Sequence, residues 1–488
     1  MVRGHLLFFL PDRSKYVWVF LYCEKVIYAV YYTEHRQQGV LWLSKKIGMV
    51  SLGCPKNLVD SELMLGKLKS EGFEIVNDAD AADIIVINTC GFIESAKQES
   101  INTILEMAAL KERNCELLVV AGCMAERYRR EILDEIPEVD VVLGTGSYHE
   151  IAEAIREAYG GKRVSRHGKT ADVSYLDGER VVSTGKGYAY LKIAEGCDNH
   201  CTYCIIPSLR GPYRSRKMES ITEEARRLAD TGIKELIVTA QDTTRYGLDL
   251  YGKKMLAELI RNLSMIEPIQ WIRLLYCYPE EIDLSLLKEI ASNDKVCKYI
   301  DIPIQHASPP ILRRMGRRGS ISDICRLIDT IRKEIPDAVI RTTVITGFPG
   351  ETEEDFEALA GFIENYRFDR LGTFMYSKEE GTAAYDMPDQ VPQKVKRSRY
   401  NRLMKIQKRI SAELNRQRLG KVYKVLVEGV ADDGIFYYGR SYAEAPEIDG
   451  LIYFTSEEPL EINSFVNVRI LDAGEYDLTG EAQHESSE

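Results

Sequence analysis

The sequence predicts a multidomain α/β protein: an N-terminal parallel-sheet α/β domain, a central partial (β/α)6 barrel and a small C-terminal antiparallel β-barrel of the OB-like kind. Three observations predict it. Short apolar runs alternate with amphipathic helical stretches in two successive series, the pattern of βαβ units and parallel sheets. The last part of the chain changes to short strands separated by turn signals. At 488 residues the chain also exceeds what one hydrophobic core organises.

In chain order, residues 1–46 stand apart as an extension. They hold ten aromatics, among them Phe8, Phe9, Trp18, Tyr31 and Tyr32, with no period or capping pattern. They fit a secretory signal poorly and read as upstream sequence, with the functional start near Leu43 or Met49. The first domain is expected over residues 47–165. Its strands are Ile47–Ser51, Asp83–Asn88, Leu117–Ala121 and Val139–Leu143, with helices at Ser61–Glu71, Glu94–Leu110 and Ala125–Glu135. Residues 166–187 turn polar and read as a linker or an edge hairpin.

The second series, residues 183–415, offers six strands: Tyr188–Ala194, Glu235–Thr239, Ile272–Tyr276, Tyr299–Ile304, Val339–Thr346 and Gly372–Tyr376. Helices such as Thr222–Thr231 and Ile321–Lys333 lie between them. Six βα units favour a partial barrel over a flat sheet. A long basic helix, Lys394–Arg416, leads into the last domain, residues 419–485, with turns at Asp432-Asp433-Gly434 and Asp449-Gly450.

Hydrophobic residues make up 45% and charged residues 28%, which excludes wholesale disorder. The apolar run Tyr16–Cys23 is far too short to span a bilayer, and no membrane association is expected. Formal charge is −11 from 64 basic and 75 acidic residues, against a protein that coats nucleic acid with its whole surface. Residues 421–488 account for the entire imbalance, with four basic and fifteen acidic residues. Residues 393–418 hold ten Lys or Arg and one acid, Glu413. This suggests two different contact surfaces.

Eleven cysteines without a dense short framework read as cytosolic thiols, placing the protein in the cytoplasm. Cys197, Cys201 and Cys204 are spaced C-x3-C-x2-C directly after the first barrel strand. Three thiolates on one tight loop suit three corners of an iron–sulfur cube, leaving one iron open. Zinc or plain packing are the alternatives, and zinc would find only His200 as a nearby fourth ligand. Cys54, Cys90 and Cys123 lie 36 and 33 residues apart, so no spacing motif joins them. Each nevertheless follows a predicted strand within three residues, and adjacent βα units bring such positions together at the carboxyl edge of a sheet. Gly53, Gly91 and Gly122 flank them and permit close backbone approach. Cys297 and Cys325 read as helix-associated packing, Cys115 precedes a strand, Cys277 ends one, and Cys23 falls in the extension.

Working residues of a (β/α) barrel lie at the carboxyl ends of its strands. Those ends carry Thr239-Ala240-Gln241-Asp242, Gln305-His306 and Gly347-Phe348-Pro349-Gly350-Glu351, which together suggest a lined cavity. Glu195, Arg210, Arg214 and Arg216 flank the cysteine loop, either to grip a cofactor carboxylate or as a solvated loop.

On these residues the chain resembles the methylthiotransferases of the radical S-adenosylmethionine (SAM) superfamily, over about residues 47–485. Gly196 to Pro207 looks like their cluster-binding signature, continued by Arg210-Gly211 and Arg214-Ser215-Arg216. The end of the chain resembles a TRAM domain. Within that family, Ser51-Leu52-Gly53-Cys54-Pro55-Lys56-Asn57-Leu58-Val59-Asp60-Ser61-Glu62 and Val238 to Gly247 are similar to the branch that modifies an aspartate of small-subunit ribosomal protein twelve. The tRNA-modifying (MiaB-type) branch usually differs after its first cysteine.

The resemblance implies two 4Fe–4S clusters, one on Cys197, Cys201 and Cys204 that binds SAM, the other on Cys54, Cys90 and Cys123. One electron from a donor protein would cleave SAM to a 5′-deoxyadenosyl radical that removes hydrogen from the aspartate β-carbon, work that acid–base side chains cannot do. The second cluster would present sulfur, and another SAM the methyl group. Gln241, Gln305, Gly347 and Gly350 match SAM-contacting segments. The acidic last domain favours a basic ribosomal protein, free or on the ribosome, as partner over tRNA. A tRNA methylthiotransferase and a non-enzymatic, metal-containing RNA-binding protein are the rival expectations.

Overall fold

The computed structural model describes residues 18–23, 26–31, 45–168, 173–185 and 187–483. Within the extension, Trp18–Cys23 and Val26–Tyr31 pair as an isolated antiparallel hairpin. Of the predicted extension, residues 1–17, 24–25 and 32–44 lie outside the described residues, and Lys46 already belongs to the first sheet.

The first domain is a six-stranded, wholly parallel sheet: β1 (Lys46–Ser51), β2 (Glu74–Ile75), β3 (Ile84–Thr89), β4 (Leu117–Gly122), β5 (Val141–Leu143) and β6 (Val164–Arg166), in the order β2-β1-β3-β4-β5-β6. Every residue of β3 and β4 is buried, which is why both read as continuous apolar runs. Helix α1 (Pro55–Ser70) starts six residues earlier than predicted. Pro55 suits this start, because the first helical turn tolerates proline where its amides have no intrahelical partner. Helices α2 (Glu94–Ala108) and α3 (Cys123–Arg127) follow β3 and β4.

The central strands β7 (Tyr188–Lys192), β8 (Glu235–Thr239), β9 (Trp271–Leu274), β10 (Val296–Asp301), β11 (Val339–Thr346) and β12 (Arg370–Met375) form one parallel sheet in reverse sequence order, β12 to β7. The two ends are not paired, so the expected partial barrel is open. Cys297 lies on β10, not on a helix; its burial in the sheet produces the same apolar signal that a packed helix gives. Short helix α4 (Ile206–Arg210) follows the cysteine loop, and α5 (Gln393–Arg416) spans the basic segment.

The last domain is a closed barrel of β13 (Val422–Val430), β14 (Tyr437–Arg440), β15 (Ile452–Thr455), β16 (Phe465–Ala473) and β17 (Leu478–Gln483). It is not purely antiparallel: β15 and β17 pair in parallel to close it.

Charge placement adds to the expectation of two different contact surfaces. On α5, Arg399 meets Glu351 and Glu353 at 2.8 and 2.9 Å, and Arg409 meets Glu364 at 2.9 Å. In the acidic domain, buried Glu444 takes Arg418 at 2.5 Å and Arg370 at 3.1 Å, and Asp449 accepts from Tyr299 at 2.7 Å. Arg440 reaches Glu235, at the start of β8, at 2.8 Å, and Arg273 meets the same carboxylate at 2.6 Å. Part of both charge runs therefore fastens domains together.

Candidate active site at the interface of two domains

Register builds the first cysteine trio. Ser51 pairs with Asn88, and Asn88 with Ala121. Cys54, Cys90 and Cys123 leave these three adjacent strands two or three residues later, at one edge of the sheet. Two glycines make the approach possible. Gly53 has φ +90°, and a Cβ there would lie 3.1 Å from Cys90 Sγ. Gly122 has φ +100°, and a Cβ would overlap the Asn88 side chain and the Thr89 backbone.

The three thiols differ in environment. Burial pushes Cys90 up to about 12, with Cys123 and Cys54 adding to the effect. Burial also raises Cys123, against the opposing pull of Arg210. Cys54 caps the N-terminus of α1. Burial alone would raise its pKa, but Lys56, Arg210 and the amides of Asn57 and Lys56 outweigh burial and hold it below the ordinary thiol value.

The second trio follows β7. Asn199 donates its amide to Cys197 Sγ at 3.4 Å, and Tyr278 Oη lies 3.4 Å from Cys201 Sγ. Burial pushes Cys197 up to about 11 and Cys204 up to about 12, neighbouring thiols contributing to both. Among the described residues no three His, Cys, Asp or Glu donors converge on a single ion position. For an iron–sulfur cube, which spreads its thiolates over separate irons, the donor set is of the right kind: all sulfur, with Cys123 buried and the other five partly so. Binding iron would deprotonate these thiols. At the end of β8, Gln241 Oε1 and Thr239 Oγ1 are buried without a protein partner, as polar walls of a ligand cavity would be.

The two trios are neighbours. Cys123 packs in one buried cluster with Ile205 and Leu209, the first of which directly follows Cys204. Thr145 Oγ1 donates to the Leu209 carbonyl at 2.6 Å. Arg210 is the hub: it donates to Asn57 Oδ1 at 2.6 Å and to Asp60 and Glu195 at 2.8 Å each. Lys192 meets Asp60 at 2.7 Å and pairs with Glu195. Asn57 Oδ1 in turn lies 3.8 Å from Cys123 Sγ. Glu195 and Arg210 are therefore neither a solvated loop nor a free cofactor grip; they clamp the barrel to α1. Arg216 is buried against Glu224 at 2.5 Å, and Arg214 donates to the Pro212 and Arg210 carbonyls.

Of the remaining strand-end residues, Gln241 Nε2 donates to Glu195 at 2.7 Å. Gln305 holds φ +71°, its amide donating to the Thr343 carbonyl at 2.8 Å. Gly347 and Gly350, at φ +73° and +80°, face the Lys396 stem and the Arg314 guanidinium. His306 is fully buried and accepts the Ser308 amide at 2.9 Å; its Nε2 makes no hydrogen bond but lies 3.7 Å from the Glu351 carboxylate. Sequence reasoning named Lys56, Asn57 and Asp60 only within the branch signature, without a role, and passed over Lys192 and Tyr278. The spacing of Asn57 and Asp60, three apart on a helix that follows a cysteine, was the available signal.

An open parallel barrel with a three-cysteine loop at its mouth is the architecture of a radical SAM enzyme, and the comparisons agree. Residues 46–144 match the Uncharacterized protein family UPF0004, 191–363 the Radical SAM superfamily, and 419–482 the TRAM domain. Among solved structures, the radical SAM methyltransferase TsrM of Kitasatospora setae shares the fold. Its TM-score is 0.54 at 15% identity, over 78% of this chain and 80% of that one. Curated relatives are far nearer. The ribosomal protein uS12 methylthiotransferase RimO of Acetivibrio thermocellus is 60% identical over 91% of this chain and 100% of its own length. That of Clostridium kluyveri is 54% identical over 90% and 99%. The chain belongs to the RimO methylthiotransferase family. Among the described residues no helix is long and apolar enough to cross a membrane.

Proposed function

We propose that this protein acts in the cytoplasm to place a methylthio group on the β-carbon of an aspartate of ribosomal protein uS12. Cys197, Cys201 and Cys204 would hold the SAM-binding 4Fe–4S cluster, with Gln241, Gln305, Gly347 and Gly350 along the SAM pocket. Cys54, Cys90 and Cys123 would hold the second cluster. These groups, when bound, supply the radical, sulfur and methyl chemistry that no side chain provides; a donor protein supplies electrons.

The chain's own residues do the rest. Arg210, Asp60, Glu195 and Lys192 hold the two sulfur sites face to face, so that an attacked carbon need not travel between them. Burial around both trios keeps water from reactive species. The observation that carries this reading is the contact of Cys123 with the residues following Cys204, in a chain 60% identical to a RimO relative.

The test is expression of this chain in a bacterium lacking its own uS12 methylthiotransferase, followed by mass spectrometry of uS12 and of tRNA nucleosides. Gain of one methylthio group on the uS12 aspartate is expected. A methylthio tRNA base with uS12 unaltered would refute the assignment.

A further inference from the structure

Lys56 is the second residue of α1, two positions after Cys54, and only 8% of it is exposed. Burying an ammonium costs several kcal/mol unless an anion accompanies it. The other buried cations obey this rule. Of the ten lysines and arginines buried among the described residues, eight lie within 4 Å of a carboxylate. Lys396 donates to the Tyr376 carbonyl at 2.8 Å. Lys56 alone has neither. Its Nζ sits 3.3 Å from the centroid of the Tyr276 ring, and the charge-bearing groups that face it are Tyr276, Cys54 and the like-charged Arg210.

Tyr276 is itself unusual. It follows β9 at the barrel mouth with φ +61°, a conformation that is strained for a bulky side chain and costs about 1–3 kcal/mol. Its amide donates to Asp301 at 2.9 Å and its carbonyl accepts from Thr243 at 3.1 Å, so the strained backbone is locked and the ring is held under the ammonium. A ring face offsets only about 2 kcal/mol of desolvation. The ammonium, placed between the strand-end cysteines and the barrel mouth, faces the Cys54 thiol and no carboxylate.

We propose that Lys56 is the specificity-determining residue that receives the carboxylate of the substrate aspartate, placing its β-carbon between the two cysteine trios. This rests on the uS12 reading above and adds the recognition of the acid group itself. An asparagine or an uncharged base in the same place would leave the ammonium without a carboxylate, so discrimination comes from that missing partner.

The test uses anaerobically reconstituted full-length enzyme and two uS12 peptides, one with the target aspartate and one with asparagine there. Binding is followed by fluorescence anisotropy, alongside iron content and SAM affinity. Wild type should prefer the aspartate peptide on the order of tenfold or more, as one charge-assisted hydrogen bond allows. In Lys56→Met the preference should fall to within about twofold, with iron content and SAM affinity kept; Lys56→Arg should retain most of it. A preference that persists in Lys56→Met overturns the proposal. So does loss of the strand-end trio's iron, which would make Lys56 a counter-charge for that site, or an equal loss of SAM affinity. If wild type binds neither peptide and modifies neither, the uS12 reading itself fails and the proposal falls with it.

Discussion

The two cysteine trios, proposed above to hold the same kind of ligand, are encoded in opposite ways. Cys197, Cys201 and Cys204 occupy one loop, so eight residues of local sequence carry the whole site. Cys54, Cys90 and Cys123 come from three strands and share a site only because β1, β3 and β4 pair in register. The loop trio survives most changes elsewhere in the fold, whereas the strand-end trio depends on sheet geometry, on glycines and on the clamp to the barrel.

The largest test of that difference is removal of a ligand. Cys197→Ala and Cys90→Ala should each abolish methylthio transfer and each lose about half the iron, the remaining half belonging to the other trio. Iron and sulfide assays with electron paramagnetic resonance would show it. Full iron in Cys90→Ala would dissolve the strand-end site.

Next is the clamp between the sites. Arg210→Met leaves Asp60 and Glu195 with only Lys192 as a buried counter-charge, a loss of about 3–5 kcal/mol. Thermal unfolding should shift down by several degrees, and the strand-end trio should lose iron before the loop trio. Equal loss from both would erase the contrast drawn here.

Acid provides a control far from either site. Burial would raise the Glu444 pKa, but Arg418 and Arg370 outweigh it and hold the carboxyl at about 2. Its folded value lies below the unfolded one of about 4.3. The stabilisation is therefore fully present above that unfolded value and disappears as pH falls from there towards 2. On the order of 3 kcal/mol should be lost across that window. Thermal melts of wild type and Glu444→Gln between pH 6 and about 3 would measure it. A pH response in the variant as steep as in wild type would place the acid-labile contact elsewhere.

The smallest expected effect separates the trios most cleanly. Gly122→Ala forces a Cβ into Asn88 and Thr89 at φ +100°. It should cost about 1–3 kcal/mol and weaken iron retention at the strand-end trio alone, read from the two cluster signals.

Legibility followed the same division. The alternation of apolar runs located nearly every central strand, and Thr239, Gln241, Gln305 and His306 were found at strand ends because barrels place polar residues there. The start of α1 was missed, since Pro55 signals a break to local reasoning yet suits a first turn. With it went the roles of Lys56, Asn57 and Asp60, whose partners Tyr276, Arg210 and Lys192 lie more than 130 residues away. The charge runs were visible, but their use was not. Glu444 and Arg399 are buried against partners that no local charge count specifies.

Taken by itself, the amino-acid order determined the domain series, the parallel sheets, the loop trio and the strand-end positions of the other three cysteines, because each depends on periodicity and short-range spacing. Only the tertiary structure decided which charges are buried against which. It also decided that Arg210 joins both domains and that one buried lysine has no carboxylate at the barrel mouth. Ion pairing and desolvation depend on distances between residues far apart in the chain, and no local pattern records those distances.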